Sequence, residues 1–276
     1  MRKPIILLGL IALAAAIGSR AHAQSAPSPA PRPSPTDVSV ALVLALDTSG
    51  SISMGRFELQ KQGYAAAFRN PQVLNAILSL DTQSIAVSMM QWTGPQLHVV
   101  VIDWRLIRDQ ASAESFAAAI EAVPRQLFGG GTSISGAVDY SRLMLAQNPY
   151  RATRRVIDVS GDGSNNSGRS VTQARDEAVH DGITINGLPI LAWEPDLDHY
   201  YADNVIGGAN SFMIPAKNFD AFADAVLKKL INEIAFAAPN ADQTFVKASS
   251  VPASQTRQTL RRISAASPAP IPAAPR

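Results

Sequence analysis

The residues best suited to chemistry follow the first long apolar run of the chain. Val38–Leu46 is almost entirely apolar, which predicts a β-strand buried on both faces. The run ends at Asp47. Ser49 and Ser51 come next, with Gly50 between them to permit a tight turn. A carboxylate and hydroxyls at the end of a buried strand are the oxygen ligands that a hard cation needs. The alternative is a strand that ends in an ordinary polar loop.

Two later stretches supply further oxygen ligands. Thr132 comes directly after the glycine run Gly129–Gly131 and just before a helical pattern. Val156–Ser160 is a second apolar strand, and Asp162 follows it. Together with the first stretch, the chain offers two carboxylates and three hydroxyls. The alternative for each residue is a structural role in capping a helix or a turn.

In order and in context, these residues resemble the metal-ion-dependent adhesion site of the von Willebrand factor A (vWA) family. That site is built from D-x-S-x-S, a downstream threonine and a further aspartate. The resemblance covers about residues 37–236 and is strongest to an exported bacterial branch of unknown function. It implies a set of five metal ligands: Asp47, Ser49, Ser51, Thr132 and Asp162.

An all-oxygen ligand set suits Mg²⁺, with Mn²⁺ or Ca²⁺ as alternatives. Five side chains leave one coordination position, which in the vWA family is filled by a carboxylate of the partner. The resemblance therefore implies a protein partner that presents a Glu or Asp side chain.

The chain lacks the sequence signatures of common enzymes. It contains no G-x-S-x-G elbow, no G-x-x-x-x-G-K-[ST] loop and no H-E-x-x-H helix. After the predicted signal peptide only His98, His180 and His199 remain, and none is close to a motif serine in sequence. We therefore expect a binding protein rather than an enzyme. Two alternatives stay open: a metal-dependent hydrolase of phosphate or ester substrates, and a structural domain with a vestigial metal site.

Strand and helix patterns alternate along residues 37–238, which predicts an α/β fold. The expected architecture is doubly wound, with a mainly parallel sheet, one antiparallel edge strand and helices on both faces, as in the Rossmann-like vWA fold. The antiparallel strand is expected because the turn Trp92–Pro95 is short enough for a hairpin. In such sheets, ligands bind beyond the carboxyl ends of the strands, where the winding direction reverses. If the two apolar strands are neighbours there, Asp47 and Asp162 meet in one crevice.

The apolar periodicity also predicts the bounds of the individual elements. Strands are expected at Val38–Leu46, Ser84–Gln91, Gln96–Ile102, Val156–Ser160, Ile183–Ile190 and, as a short edge strand, Ser211–Ile214. Helices are expected at Met54–Asn70, Val73–Leu80, Ser112–Val123, Ser133–Gln147, Arg169–His180 and Asn218–Phe236, with Ser112 and Asn218 as caps. A polar, tyrosine-rich segment, Trp193–Val205, lies before the last two elements.

The two ends of the chain are predicted to lie outside the domain. Residues 1–23 have a basic start, an apolar region and an A-x-A cleavage site, which is the form of a secretory signal peptide. A Pro/Ala/Ser-rich linker follows at residues 24–36, and a disordered, basic, Pro/Ala-rich tail at residues 239–276. We expect an exported protein without an integral membrane segment after cleavage. The periplasm is the expected location, and secretion is the alternative.

The distribution of charge argues against nucleic acid as a partner. The 276-residue chain has 24 basic and 22 acidic residues, but nine of the basic ones lie in the predicted signal peptide, linker and tail. The predicted domain at residues 37–238 is therefore acidic and offers no basic surface. The chain has no cysteine, which excludes disulfides and thiolate metal sites.

Several residues near the predicted site have two possible roles. Asp158 lies inside a predicted strand, where a structural pairing with a basic neighbour such as Arg154 is favoured over contact with the metal ligands. Asn165 and Asn166 either form a turn or line the rim of the site. Three aromatic residues form either an exposed recognition patch or part of the packed core: Trp193, Tyr200 and Tyr201.

Overall fold

The computed structural model of the protein describes residues 35–235, in which strands and helices alternate. The strands are β1 (Asp37–Asp47), β2 (Ile85–Trp92), β3 (His98–Ile107), β4 (Arg151–Gly161) and β5 (Ile183–Pro189). The helices are α1 (Met54–Arg69), α2 (Pro71–Leu78), α3 (Gln110–Ala122), α4 (Ile134–Ala146), α5 (Val171–His180), α6 (Leu197–Tyr200) and α7 (Phe222–Ala235), with a π-helical turn at Tyr201–Val205 after α6.

The five strands form one sheet in the order β3-β2-β1-β4-β5. β1 lies at the centre and pairs in parallel with both β2 and β4, and β4 pairs in parallel with β5. Only the edge strand β3 is antiparallel, through a hairpin with β2. This is the α/β, doubly wound arrangement that the sequence predicts. The winding direction reverses between β1 and β4.

Side chains of β1 alternate between two helix layers, because successive residues of a strand point to opposite faces. Leu42, Leu44 and Leu46 pack on one face with apolar residues of α1, α2, α3 and α7. Val43 and Ala45 pack on the other face with α4, α5 and the π-helical turn. Helices cover both faces of the sheet, so the central strands are accessible only at their ends. The loops at the carboxyl ends of these strands carry the candidate residues.

Helix α3 begins at Gln110, and its cap is Asp109 rather than Ser112. The Asp109 carboxylate accepts the Ser112 N–H at 2.8 Å, and the Ser112 hydroxyl accepts the Asp109 N–H at 3.1 Å. The two residues thus form a capping box. The prediction of Ser112 as the cap was wrong because it occupies the third helical position, from which it completes the same motif.

The predicted edge strand at Ser211–Ile214 is also wrong. This segment makes a single isolated bridge to β5, between Met213 and Gly187. The side chain of Asn186 accepts the N–H of Phe212 at 3.0 Å. A side chain therefore takes the place of a main-chain partner, and no continuous ladder forms.

The polar segment Trp193–Val205 contains α6 and the π-helical turn, which the sequence did not indicate. Helix α7 starts at Phe222, later than predicted, because Asn218 accepts the N–H of Ala221 (3.0 Å) in a turn that precedes the helix.

The predicted signal peptide, most of the linker and the tail lie outside the described residues, so these boundaries stay predictions. Within residues 35–235, no helix is both long and apolar enough to cross a membrane.

Candidate metal centre

The candidate site lies at the carboxyl ends of β1 and β4, beside the reversal of the winding. Asp47 is the last residue of β1, and Asp162 follows directly after β4. The two strands are hydrogen-bonded neighbours, with Leu46 paired to Ser160. The structure therefore brings both carboxylates to one crevice, as predicted from the topology.

Hydrogen bonds connect the D-x-S-x-S loop internally and to the loop after β4. The Ser51 hydroxyl donates to Asp162 Oδ1 at 2.5 Å and lies 3.2 Å from the Ser49 hydroxyl. Asp47 Oδ1 accepts the N–H of Ser49 at 2.7 Å. Four of the five predicted ligands are thus linked in a chain of contacts.

The fifth predicted ligand, Thr132, comes from the loop before α4. A Cβ atom built on Gly163 would lie 3.8 Å from Thr132 Oγ1, so this hydroxyl faces the residue next to Asp162. Thr132 is almost fully buried. The Thr132 hydroxyl therefore lies beside the loop that carries Asp162, which is linked to the other three predicted residues.

Asn165 and Asn166 hold the threonine loop against the loop after β4. The Asn166 side chain accepts the N–H of Thr132 at 2.8 Å, and the main-chain N–H of Asn166 donates to the Thr132 carbonyl at 2.9 Å. The Asn165 side chain accepts the N–H of Ser135 at 2.9 Å, in the first turn of α4. Asn165 and Asn166 therefore hold the loop of the candidate ligand Thr132 through main-chain groups. The sequence analysis had suggested either a turn or the rim of the site for them, and the observed role lies between these two.

The oxygen atoms of the crevice fit a divalent cation. Oδ2 of Asp47 and Oδ2 of Asp162 are buried and accept no hydrogen bond from residues 35–235. Buried anionic oxygens without a donor are costly, and a bound cation would supply the partner that these two atoms lack among residues 35–235. No group of three or more His, Asp or Glu side chains in the described part of the chain could hold a metal. A metal site here therefore depends on hydroxyl ligands, as in the predicted set.

Burial makes the ionised forms of the two carboxylates unfavourable unless a positive charge lies near them. Burial raises the pKa of Asp47 to about 7, against the opposing effect of the Ser49 N–H and with a further contribution from the charge of Asp162. Burial also raises the pKa of Asp162, while the Ser51 hydroxyl opposes this shift. A nearby positive charge favours the ionised form of both groups.

Arg125 holds the D-x-S-x-S loop in place. Its guanidinium donates to the carbonyl oxygens of Thr48 at 2.8 Å and Ser49 at 3.1 Å, and also to that of Ile52. The planar fork of an arginine fits several such acceptors at once. The sequence analysis missed this residue because it is separated from Thr48 by 77 positions and belongs to no motif.

Tyr201 lies in the core beside Asp47, and the core is one of the two positions that the sequence analysis left open for it. A Cβ atom on Gly161 would lie 3.0 Å from both Asp47 Oδ2 and the Tyr201 hydroxyl, so the phenol adjoins the carboxylate. Tyr201 is fully buried, and its hydroxyl has no hydrogen-bond partner within residues 35–235. It packs in the core instead of joining an exposed aromatic patch with Trp193.

Exposed apolar side chains lie close to the D-x-S-x-S loop, in sequence or through an arginine that contacts the loop. Trp193 is 61% exposed, Phe128 is 65% exposed and Met54 is 52% exposed. Arg56 stacks on Trp193 with 4.6 Å between its guanidinium carbon and the ring centroid, and it donates to the Ser51 carbonyl at 2.8 Å. Arg125 lies 5.0 Å from the ring centroid of Phe128. We call Met54, Phe128 and Trp193 the apolar rim.

Asp158 lies away from the crevice and does not face Arg154. It pairs with Lys229 of α7, whose Nζ lies 2.6 Å from Asp158 Oδ1. Arg154 instead donates to the main-chain carbonyl of Glu233 at 3.0 Å. A basic partner was predicted for Asp158, but the partner is Lys229 rather than Arg154. Lys229 was not considered because α7 is distant in sequence from β4.

Comparison with known proteins places these observations in a family. A family model described as "Protein of unknown function (DUF1194)" matches residues 37–238. The chain belongs to this family. No curated protein matches the sequence significantly.

Solved structures similar to this DUF1194 chain include vWA domains. The vWF domain of the type V pili tip protein Mfa5 from Porphyromonas gingivalis has a TM-score of 0.51 at 12% identity, covering 75% of this chain and 98% of that chain. The pilus adhesin SpaC from Lactobacillus rhamnosus GG has a TM-score of 0.52 at 16% identity, covering 73% and 31%. Proximal thread matrix protein 1 from the mussel byssus, with a zinc-occupied MIDAS motif, has a TM-score of 0.53 at 13% identity, covering 73% and 47%.

These likenesses confirm the predicted vWA-like fold. This chain spans less than half of the byssus protein and about a third of SpaC. At such low identity, the comparison concerns the fold alone.

Proposed function

We propose that this DUF1194 chain is an exported vWA-like binding module that uses a divalent metal to engage an acidic group on a protein partner. The observation that carries the proposal is the pair of buried, unpartnered carboxylate oxygens of Asp47 and Asp162 beside three hydroxyl groups. Mg²⁺ is the preferred ion, with Mn²⁺ or Ca²⁺ as alternatives. One structural relative, the mussel byssus protein, has a zinc-occupied MIDAS motif, which supports metal binding in this fold.

The candidate ligands would contribute either negative charge or neutral oxygens to the ion. Asp47 and Asp162 supply two negative charges, which balance a divalent cation. The hydroxyls of Ser49, Ser51 and Thr132 supply neutral oxygens. When bound, the cation would supply an electrophilic centre for a Glu or Asp carboxylate of the partner. Without it, the two aspartates would repel that carboxylate.

The apolar rim supports a macromolecular partner. Exposed apolar side chains grouped around a polar centre are typical of protein-binding surfaces. Arg56 and Arg125 lie against two of the aromatic rings of this rim, so positive charge accompanies the apolar surface. A partner segment with an acidic residue beside apolar ones matches this pattern. The pilus adhesin and the pilus tip protein among the structural relatives are consistent with such a role.

The hydrolase alternative has less support from the geometry. A hydrolase needs a general base near the metal that is free to accept a proton. Glu194 is the additional carboxylate close to the loop after β4, but it accepts the N–H of Ser164 at 3.1 Å and the hydroxyl of the same residue. His98 stacks on Tyr140, with 3.8 Å between ring centroids, rather than on a candidate ligand.

Titration calorimetry with Mg²⁺ and Mn²⁺ tests the metal site. We expect binding by the wild type and no binding by Asp47→Ala or Asp162→Ala. The substitutions Ser49→Ala and Thr132→Ala should weaken binding, because each removes one neutral ligand. Asp81→Ala is the matched control, since Asp81 is exposed in a turn before β2. Equal binding by the wild type and Asp47→Ala would remove the metal site from the proposal.

A capture experiment tests the partner. Immobilised wild-type protein and Asp162→Ala are exposed to envelope extract with Mg²⁺ or with EDTA. We expect a protein that is retained by the wild type in Mg²⁺, lost in EDTA and lost with the variant. A partner retained equally in EDTA would show that binding does not need the metal.

A further inference from the structure

A buried cluster of charged side chains lies between β4, β5 and α7, apart from the candidate metal centre. The side chains of Lys229, Asp158 and Glu233 are each at most 1% exposed. Lys229 Nζ lies 2.6 Å from Asp158 Oδ1 and 2.6 Å from Glu233 Oε1. Asn186 donates to the same oxygen of Glu233 at 3.0 Å. The proposed binding function uses none of these groups.

Several carboxylate oxygens of this buried cluster lack a hydrogen-bond donor in the described part of the chain. Within residues 35–235, both oxygens of Asp158 and Oε2 of Glu233 accept no hydrogen bond. Lys229 forms an ion pair with Asp158 Oδ1 and donates a hydrogen bond to Glu233 Oε1, so the second oxygen of each carboxylate stays without a donor among the described residues. Buried ionic groups are normally fully hydrogen-bonded, because desolvation otherwise outweighs their attraction.

The arrangement suits a covalent reaction instead. An amine is held against a carboxyl group, and a second carboxylate that contacts the amine is placed to move its protons. Groups fixed at such a distance react far faster than the same groups in solution. We propose that Lys229 and Asp158 join in an intramolecular amide bond, with Glu233 as the acid–base catalyst.

The reaction is a condensation that needs no oxidant or co-reactant. Lys229 first passes a proton to Asp158, which leaves a neutral amine beside a neutral carboxylic acid. The nitrogen lone pair then forms the new bond to Cγ of Asp158, while Glu233 takes a proton from the nitrogen. The C–O bond to the hydroxyl group breaks, and Glu233 returns its proton to that group. One water molecule leaves, and Glu233 ends as a carboxylate.

The surroundings favour the neutral forms that this reaction requires. Burial raises the pKa of Asp158 to about 7, while the charge of Lys229 opposes the shift and that of Glu233 adds to it. The Phe212 ring centroid lies 5.7 Å from Lys229 Nζ, and the fully buried Tyr64 lies near both carboxylates. Condensation replaces two buried charges with one neutral amide, whose N–H can donate to Glu233. In a chain without cysteine, the bond would join α7 covalently to the sheet.

Mass spectrometry of the purified full chain tests this proposal directly. We expect an intact mass lower than that of the matching sequence by one water molecule. Trypsin should fail to cleave after Lys229, and residues 156–169 should appear joined to residues 229–247. An intact mass equal to the sequence mass overturns the proposal. A loss of one ammonia instead assigns the bond to Asn186 and overturns the choice of Asp158.

Two substitutions identify the reacting groups. Lys229→Met removes the amine, so the full sequence mass should return. Glu233→Gln keeps the shape of the side chain but removes the proton carrier, so most of the protein should carry the full mass. Lys228→Arg is the matched control, because Lys228 is the exposed neighbour on the same helix and the tryptic site is retained. A cross-link that forms equally in Glu233→Gln would remove Glu233 from the mechanism.

Discussion

Arg125 holds the D-x-S-x-S loop through main-chain oxygens, without touching a candidate ligand atom of that loop. Groups of this kind orient the ligands of metal sites, and their loss typically weakens metal binding by about 10–100-fold. We expect Arg125→Lys to lower the affinity for Mg²⁺ by about that factor in calorimetry, because an ammonium cannot serve three carbonyls at once. Arg105→Lys, at an exposed position on β3, should bind like the wild type. Unchanged affinity in Arg125→Lys would mean that the loop holds its shape unaided.

The meeting of Asp47 and Asp162 at one edge of the sheet could be predicted from sequence, because Asp47 ends one apolar strand and Asp162 follows another. That the five candidate ligands bind a metal stays a prediction. The role of Arg125 could not be predicted, because it comes from a segment with no motif of its own and contacts the D-x-S-x-S loop only in space. For Tyr201 the sequence left two alternatives, an exposed patch or the packed core, and the structure decides for the core. Lys229 was missed for the related reason that a lysine inside an amphipathic helix normally predicts an exposed position.

At the scale of whole elements, α1 and α7 meet at a glycine. A Cβ atom on Gly63 would lie 2.8 Å from the ring of Phe222 and 3.2 Å from the main chain of Ala223. We expect Gly63→Ala to lower the free energy of unfolding by about 1–3 kcal/mol, as overpacking does, although alanine favours helix. Chemical denaturation measures the change.

Gly55 in the same helix is the matched control for this prediction. Its Cβ would meet no atom closer than 4.0 Å. Gly55→Ala should therefore be neutral or stabilising by up to about 1 kcal/mol. Equal effects of the two substitutions would mean that helix propensity, not the contact with α7, decides the stability.

Helices α4 and α5 are joined by a network of charged side chains at the surface. Glu177 accepts hydrogen bonds from Arg169 at 2.6 Å and from Arg142 at 2.7 Å, and these bonds lower its pKa to about 2. A carboxylate with a lowered pKa stabilises the fold above its unfolded pKa, and the effect disappears as the pH falls through the folded pKa.

Glu177→Gln should therefore lower the melting temperature at pH 7, and its difference from the wild type should vanish near pH 2, the lowered pKa. Thermal scans across this range measure the difference. The control is Asp81→Asn, whose carboxylate makes no ion pair among residues 35–235 and whose effect should stay small at every pH. A Glu177→Gln effect independent of pH would show that the network acts by packing rather than by charge.

The order of elements could largely be predicted because the buried strands and amphipathic helices have clear apolar periods. The errors fall where side chains replace main-chain hydrogen bonds. Asp109 and Ser112 share one cap, and the Asn186 side chain accepts the N–H of Phe212 where a strand was expected. Such replacements depend on local geometry that apolar periodicity does not report.

At the scale of the whole molecule, side chains of residues 35–235 form an apolar layer on each face of the sheet. Residues 239–276 lie outside the described range, and their sequence has no apolar face. We expect deletion of residues 239–276 to leave the melting temperature nearly unchanged, because segments of this composition bury little surface. Differential scanning calorimetry compares the two chains. A fall of many degrees would mean that the tail packs on the domain.

The central position of β1 has a consequence for how the chain acquires its fold. β1 is made first, yet its pairing partner β4 lies more than a hundred positions further along, as the contact between Asp37 and Arg151 shows (114 positions). Contacts between such distant segments form slowly, and an unpaired apolar strand is prone to aggregation in the meantime. A nascent chain that ends after α4 exposes one side of its most apolar strand. Productive folding therefore requires that nearly the whole domain has been synthesised. Until then, Val38–Leu46 is the segment that a holding chaperone would most need to bind.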